Sequence, residues 1–297
     1  AGTPMFSDWK KMLDSVELDA VEIHTPHTLH FEQIMTSLDL GLHVLCEKPM
    51  VCKSEDALTV SRKLSETGLT LQVSYQRHFD PGFRHIRGMI ADGVIGDVQF
   101  LTAWQSQEWK RITKGMWRQI PELSGGGQLN DSGSHLQDIF MWMTGFRPES
   151  GYGTTDMIFE EDGEIIPKQV EINSYSDVVM EGGAEGTITI VGNTHVGFEE
   201  WVILEGSEGT LKIKDGMWLT VGDGEPTEVE ASRPDGYPSG KVEQLVGLVK
   251  GETDRNYTSG INGIRTSWLT NSILEAGRGP DAKNHVDCDE LIAGEGS

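Results

Sequence analysis

The sequence predicts an α/β protein in two parts, and three features of its 297 residues predict it. Residues 1–77 alternate strand-like and helix-like segments joined by short loops, the pattern of a parallel sheet covered by helices. From Pro148 onward the chain turns β-rich, with glycine-bearing turns such as Glu181-Gly182-Gly183 and Asp215-Gly216 between short strands. That pattern predicts a large, mostly antiparallel open sheet. Between the two, the run Gly125-Gly126-Gly127 enters a helix that carries a dense set of chemistry-bearing side chains.

In chain order, Asp8 is placed to cap a helix holding Trp9, Met12 and Leu13. Residues 19–24 read as a strand, and Thr25-Pro26-His27-Thr28 as a loop. Residues 28–40 read as a helix with Phe31, Ile34, Met35 and Leu38 on its buried face and Gly41 as its C-cap. Residues 43–46 form the next strand, with Glu47-Lys48-Pro49 at its carboxyl end. Ser54 is expected to cap a helix whose first turn holds Glu55 and Asp56, where the helix dipole favours acids, and Gly68 closes it. A third strand spans 69–75, and Gly2-Thr3-Pro4-Met5-Phe6 has the look of a strand remnant. The second part, 78–297, starts with a helix over 83–91 and a strand over 98–105. Strands are expected over 152–159, 170–180, 187–191, 200–204 and 210–213, and helices over 242–249 and 261–276.

In the glycine-led helix, Asp131, His135 and Asp138 stand at i, i+4 and i+7. At about 100° per residue they share one stripe, while Leu136, Ile139, Phe140 and Met143 form another roughly 130° around. One side can enter a core while the other presents two carboxylates and an imidazole to a cleft. An ordinary amphipathic helix with a solvated face has the same pattern. The glycines tilt the reading, because three in a row suit a backbone that passes close to something else.

The formal net charge of -23 argues against nucleic acid or an anionic membrane as partner, since both select basic patches. The acids are spread along the chain, which suits solubility. A high-salt habitat is a further expectation, with activity persisting in molar salt. Cys46, Cys52 and Cys288 are odd in number and lack zinc or redox spacing, which predicts a reducing, cytoplasmic compartment. No stretch is apolar enough to span a membrane and no signal peptide is visible. His24, His27 and His30 straddle a strand end, a loop and a helix start, so no metal is expected. A lone lysine is ordinarily a surface charge, but Lys48 sits at the carboxyl end of a strand, where open α/β sheets bind ligands. The Thr25-Pro26-His27 loop and Tyr75-Gln76-Arg77-His78 lie at such ends too.

Several motifs resemble those of the glucose–fructose oxidoreductase / inositol dehydrogenase (Gfo/Idh/MocA) family. His43 to Pro49 resembles its Glu-Lys-Pro signature. Thr25 to His30 resembles its Thr-Pro-Asn-x-x-His segment, with His27 where asparagine is common. Residues 125–138 resemble its Gly-Gly-Gly-x-Leu-x-Asp-x-Gly-x-His-x-x-Asp motif, and Gly206 to Leu211 a strand-turn-strand of its second domain. The resemblance implies a Rossmann-type dinucleotide domain (1–77), a substrate-binding and oligomerisation domain (78–297), and NAD or NADP. It implies hydride transfer between the nicotinamide and a hydroxyl or carbonyl of a sugar or cyclic polyol.

By the same resemblance Lys48, Asp131 and His135 are the catalytic group. Thr25, Pro26, His27, His30, Glu47, Lys48, Pro49 and Gln76 bind the cofactor, and Arg77, Trp117, Arg118 and Asp138 contact the substrate. A packed core aromatic is an equally good reading of Trp117. His135 suits a general base because its ordinary pKa lies near neutrality, and Lys48 suits stabilisation of alkoxide charge. The sequence departs from the family in having no Gly-x-Gly-x-x-Gly near its start and no acidic ribose-binding residue about 20 residues later. That implies an N-terminally truncated chain whose strands are the fourth to sixth of six, with an open sheet edge and weak cofactor binding of its own. A homo-oligomer, dimer or tetramer, is expected. An NAD-using glycosidase and a non-catalytic sugar- or nucleotide-binding regulatory protein are the alternatives.

Overall fold

The structure, a computed structural model, describes residues 3–156, 158–161, 164–167, 170–195, 197–231, 237–276 and 284–285. Cys288 lies outside the described residues, as does part of the strand expected over 152–159. In chain order the first part runs α1 (Trp9–Ser15), β1 (Ala20–Ile23), α2 (His30–Asp39), β2 (His43–Cys46), α3 (Ser54–Thr67) and β3 (Leu71–Val73). The strands form a parallel sheet in the order β1-β2-β3, with Val21 opposite Val44 and Val44 opposite Leu71.

Local chemistry sets the boundaries. Asp8 accepts hydrogen bonds from the amides of Lys10 and Lys11 and starts α1. Gly68 ends α3 in the left-handed region, at φ +65°. Ile34 and Leu38 of α2 and Ala57 and Val60 of α3 pack with Val44, Cys46 and Val73 into one core.

Three expectations are corrected here. Ser54 is the first residue of α3, not its cap: its amide and hydroxyl both donate to Asn271 Oδ1, so a distant side chain does the capping. The third strand is shorter than 69–75. Thr3 to Phe6 form no strand, because no neighbouring strand is present among the described residues to take up their backbone groups. Beyond β2, β1 has no paired strand among the described residues either.

The second part continues with α4 (Pro81–Ala91), β4 (Val98–Ser106), α5 (Trp109–Ile112), α6 (Pro121–Ser124), α7 (Gln128–Asp131) and α8 (Gly133–Thr144). Next come β5 (Pro148–Asp156), β6 (Ile158–Glu161), β7 (Glu164–Pro167), β8 (Asn173–Met180) and β9 (Glu185–Val191). They are followed by β10 (Glu199–Gly206), β11 (Gly209–Ile213), β12 (Met217–Val221) and β13 (Thr227–Glu228). Helices α9 (Lys241–Val249) and α10 (Gly260–Ala276) and strand β14 (Asn284–His285) close the described chain.

Nine strands form one sheet in the order β13-β12-β11-β10-β4-β9-β8-β5-β14, and β4–β9 is its parallel pair. Burial alternates along β9, with Gly186, Ile188 and Ile190 buried, so one face meets the core. Helix α8 lies against that face, flanked by α4 and α10. The amphipathic expectation for α8 is therefore corrected: residues 136–143 are buried without interruption, because helices flank it and the sheet backs it. Only its first turn remains to face a cleft. Gly145, at φ +76°, ends it as expected.

Candidate active site

Strand β2 delivers Lys48 toward the junction of α7 and α8. The Lys48 ammonium donates to the Asp131 main-chain oxygen at 2.7 Å and to its Oδ1 at 2.9 Å. Asp131 Oδ2 accepts from the Trp109 indole at 2.8 Å and meets Arg118 Nε at 3.0 Å. His27 Nε2 stands 3.8 Å from Oδ1. Burial pushes the Asp131 carboxyl up, but Lys48, the indole hydrogen bond and His27 outweigh it and hold it well below the usual carboxylate range. Asp131 is thus a fixed anion whose two oxygens are both engaged.

His135 follows one turn later, its ring edge-on to Tyr75 at 6.1 Å. Burial, then the charges of Lys48 and Arg77, push its pKa well below the ordinary value. The ring is neutral at physiological pH. Its Nδ1 is buried and makes no hydrogen bond among the described residues. A neutral imidazole of this kind has the chemistry of a proton acceptor.

The strand-end loops are tied together from behind. His30 is fully buried and bridges two main-chain oxygens, Pro49 O at 2.8 Å through Nδ1 and Thr25 O at 2.9 Å through Nε2. A neutral ring donates to only one of them. Thr25 donates to Gln33 Oε1, and Pro26 precedes a short 3-10 turn that carries His27. His27 is buried with Nδ1 on Ser124 O at 3.1 Å and its ring edge-on to Trp117; burial brings its pKa down to about 3. Burial pushes the Glu47 carboxyl up, but hydrogen bonds from Lys241 and Ser74 prevail and hold it below its ordinary value. Gln76 is exposed at the end of β3. His24, the remaining histidine of that segment, instead meets Glu22.

Of the substrate-side residues, Trp117 and Arg118 stack on one another at 4.6 Å beside Asp131. Arg77 forms a two-point pair with Glu200, at 2.6 and 2.9 Å. Asp138 is a correction: its Oδ2 bonds His78 Nε2 at 2.7 Å and both side chains are buried, so it is sealed from the cleft. The stripe drawn by helical periodicity is real, but after one turn it runs into the core. Trp109, Glu200 and Lys241 are the site residues that sequence reasoning missed. None lies in a motif, and each arrives from a distant element.

The glycine run comes close to the protein itself. A Cβ on Gly125, at φ +69°, would collide with the Cys52 side chain, and one on Gly127 with the main-chain oxygen of Glu171. The run thus lets α7 dock between the loop after β2 and the approach to β8, which fixes Asp131 against Lys48. Glu171 is buried there, with Oε1 accepting from the Gly127 amide at 2.6 Å. Burial pushes its carboxyl up to about 7, against amide hydrogen bonds that favour the anion. Its unfolded value is about 4.3, so the folded state binds the extra proton and stability falls as pH rises from about 4.3 to about 7. Glu171→Gln keeps the acceptor and removes the ionisation. It is expected to exceed the parent in stability by about 2–4 kcal/mol above that range and to match it in acid, read from denaturant unfolding at several pH values. Equal pH dependence in the two proteins would refute the assignment.

The orphaned Nδ1 of His135 and the fixed Lys48 ammonium fit the nicotinamide and substrate end of a dinucleotide site. The Thr25-Pro26-His27 and Glu47-Lys48-Pro49 loops, at the carboxyl ends of β1 and β2, stand where such sheets hold the cofactor.

Comparison with known proteins identifies the family of the chain. Residues 1–75 match the oxidoreductase family with an NAD-binding Rossmann fold, and residues 83–212 match the GFO/IDH/MocA C-terminal domain. The chain is 23% identical over 225 residues to the levoglucosan dehydrogenase of Pseudarthrobacter phenanthrenivorans, covering 69% of this chain and 57% of that protein. It is 26% identical over 202 residues to the D-xylose 1-dehydrogenase [NADP(+)] of Haloarcula marismortui, covering 67% and 54%. The chain thus spans little more than half the length of these curated relatives. The crystal structure of the WlbA dehydrogenase from Bordetella pertussis, in complex with NADH and UDP-GlcNAcA, superimposes with a TM-score of 0.77 at 22% identity, over 95% of this chain and 84% of that one. That likeness is one of fold. With both of its matched segments assigned, this chain belongs to the Gfo/Idh/MocA oxidoreductase family, and its N-terminal segment to that family's NAD-binding Rossmann fold.

Proposed function

We propose that this chain acts as an NAD- or NADP-dependent dehydrogenase of a sugar or cyclic polyol, with Lys48, Asp131 and His135 as its catalytic group. The observation that carries the reading is a largely buried ammonium held on a fixed carboxylate, with a neutral imidazole of unengaged Nδ1 one helical turn on. The nicotinamide, when bound, supplies the hydride acceptor. His135 takes the proton of the substrate hydroxyl. Lys48 lies where alkoxide charge would develop and lowers its cost. Asp131 holds Lys48 in place. Arg118 and Trp117 offer a hydrogen-bond donor and a flat face to a polyol, and Arg77 is positioned by Glu200. Thr25, Pro26, His27, Glu47, Pro49 and Gln76 would line the dinucleotide side, with His30 bracing the loops from behind.

The separate three- and nine-stranded sheets support a domain division at 77 and 78. Pairing in register places Trp201, Trp104 and Tyr175 on one face of the large sheet, opposite the core, and Tyr152 two residues along from Tyr175's partner shares it. Tyr152 and Tyr175 are exposed, and this aromatic face supports assembly into a dimer or tetramer. No helix among the described residues is long and apolar enough to cross a membrane, and a cytoplasmic location is part of the proposal.

The test is a panel of sugars and cyclic polyols with NAD⁺ and NADP⁺, followed by the absorbance of the reduced nicotinamide. Saturable reduction with at least one substrate supports the reading. Turnover without net reduction would instead favour a transient use of the cofactor, and binding without turnover a regulatory role.

A further inference from the structure

In the second part a cavity of about 610 Å³ opens between α4, the C-terminal half of α8 and the start of α10. That volume lies within the range typical of small-molecule sites. None of the three catalytic candidates lines it. Four arginines do: Arg84 and Arg87 from α4, Arg255, and Arg265 from α10. Asp92 is the one acid among the described lining residues. In a chain of net charge -23, such a concentration of guanidinium groups is contrary to the rest of the molecule.

Three of the four arginines lie over aromatic side chains. Arg87 lies over the Trp142 ring at 4.7 Å and donates to Trp142 O at 2.8 Å. Arg255 lies over Tyr257 at 4.9 Å, and Arg84 over Tyr237. Stacked by its face, the Arg255 guanidinium keeps its N–H edge available for a planar or tetrahedral anion, as does Arg87 through the nitrogens not spent on Trp142 O. Burial, and the neighbouring charges of Arg255 and Arg265, depress the Arg87 pKa, so these cations repel one another and an anion between them would relieve that repulsion. Trp142 also stacks on His78 at 4.2 Å, so the cavity shares a wall with the buried His78–Asp138 pair.

We infer that this arginine-lined cavity is a second ligand site, for a phosphorylated small molecule whose phosphoryl oxygens take the guanidinium edges of Arg87 and Arg255. The probe is inorganic pyrophosphate, titrated calorimetrically without substrate or nicotinamide, against sodium sulfate at matched ionic strength. The outcome is therefore separate from that of the dehydrogenase assay. Saturable pyrophosphate binding is expected, weakened at least ten-fold in the double variant R87Q/R255Q and unchanged in H135A, whose substitution lies outside the cavity and leaves every side-chain hydrogen bond of the described residues in place. If R87Q/R255Q does not fold, R255Q alone, at an exposed position, gives the same reading with a smaller loss. Absence of saturable binding in the parent, equal affinity in the arginine variants, or loss of binding in H135A would each overturn the assignment.

Discussion

His135→Ala is expected to lower turnover by about 10²–10⁴-fold, the usual contribution of a positioned general base. The fold should survive, since the ring makes no side-chain hydrogen bond among the described residues and its Nδ1 is already unengaged. A matching thermal midpoint would therefore separate lost chemistry from lost structure. The same burial and neighbouring cations that keep the ring neutral shift the acid limb of the kcat profile below the range of an ordinary histidine, about pH 6.5. Initial rates across pH check both points. Near-normal turnover in the alanine variant would remove His135 from the mechanism.

Lys48→Met should cost both activity and stability. Loss of the ammonium deprives the developing alkoxide of its nearest cation, an effect of about 10²–10³-fold in kcat by analogy with removing one preorganised donor. It also leaves the Asp131 carboxylate with Trp109 and Arg118 as its remaining close donors. Both partners are largely buried, with side-chain exposures of 14% and 8%. Breaking such a pair from one side typically costs about 3–5 kcal/mol.

The pH dependence has a definite sign. The Asp131 carboxyl is depressed in the folded state, so its stabilisation is present above its unfolded value of about 3.9 and is lost as pH falls toward the folded one. In K48M the depression is smaller and the loss in acid shallower. Adding Asp131→Asn should recover stability, because no buried anion is left uncompensated, but should not recover turnover. Denaturant unfolding at neutral and acid pH, beside kcat, reads all of this. A K48M protein with parental stability and rate would contradict the pairing.

Much of the frame was legible because it rests on local chemistry. Asp8, Gly41, Gly68 and Gly145 act within their own turns, and the strands expected over 43–46 and 187–191, observed over 43–46 and 185–191, follow from short apolar or β-branched runs. Within the motifs, the meeting of Lys48 and Asp131 across 83 residues of chain was legible, with His135 one turn after Asp131. What was not legible is what covers a residue from elsewhere. Periodicity put Asp138 on the stripe of His135, but His78, 60 residues away, closes over it. Trp109, Glu200 and Lys241 reach Asp131, Arg77 and Glu47 over 22, 123 and 194 residues, and no local pattern marks any of them. Ser54 looked like a cap because serine is a good one, whereas Asn271 of α10 supplies the acceptor.

The central claim is hydride transfer at the Lys48–Asp131–His135 site. It is tested most directly with the best substrate of the panel, deuterated at the carbinol carbon, and mass spectrometry of the reduced nicotinamide. The account predicts deuterium on the nicotinamide in the parent protein and a rate of labelling reduced by about 10²–10⁴-fold in H135A. Deuterium released to water, with none on the nicotinamide, would contradict it.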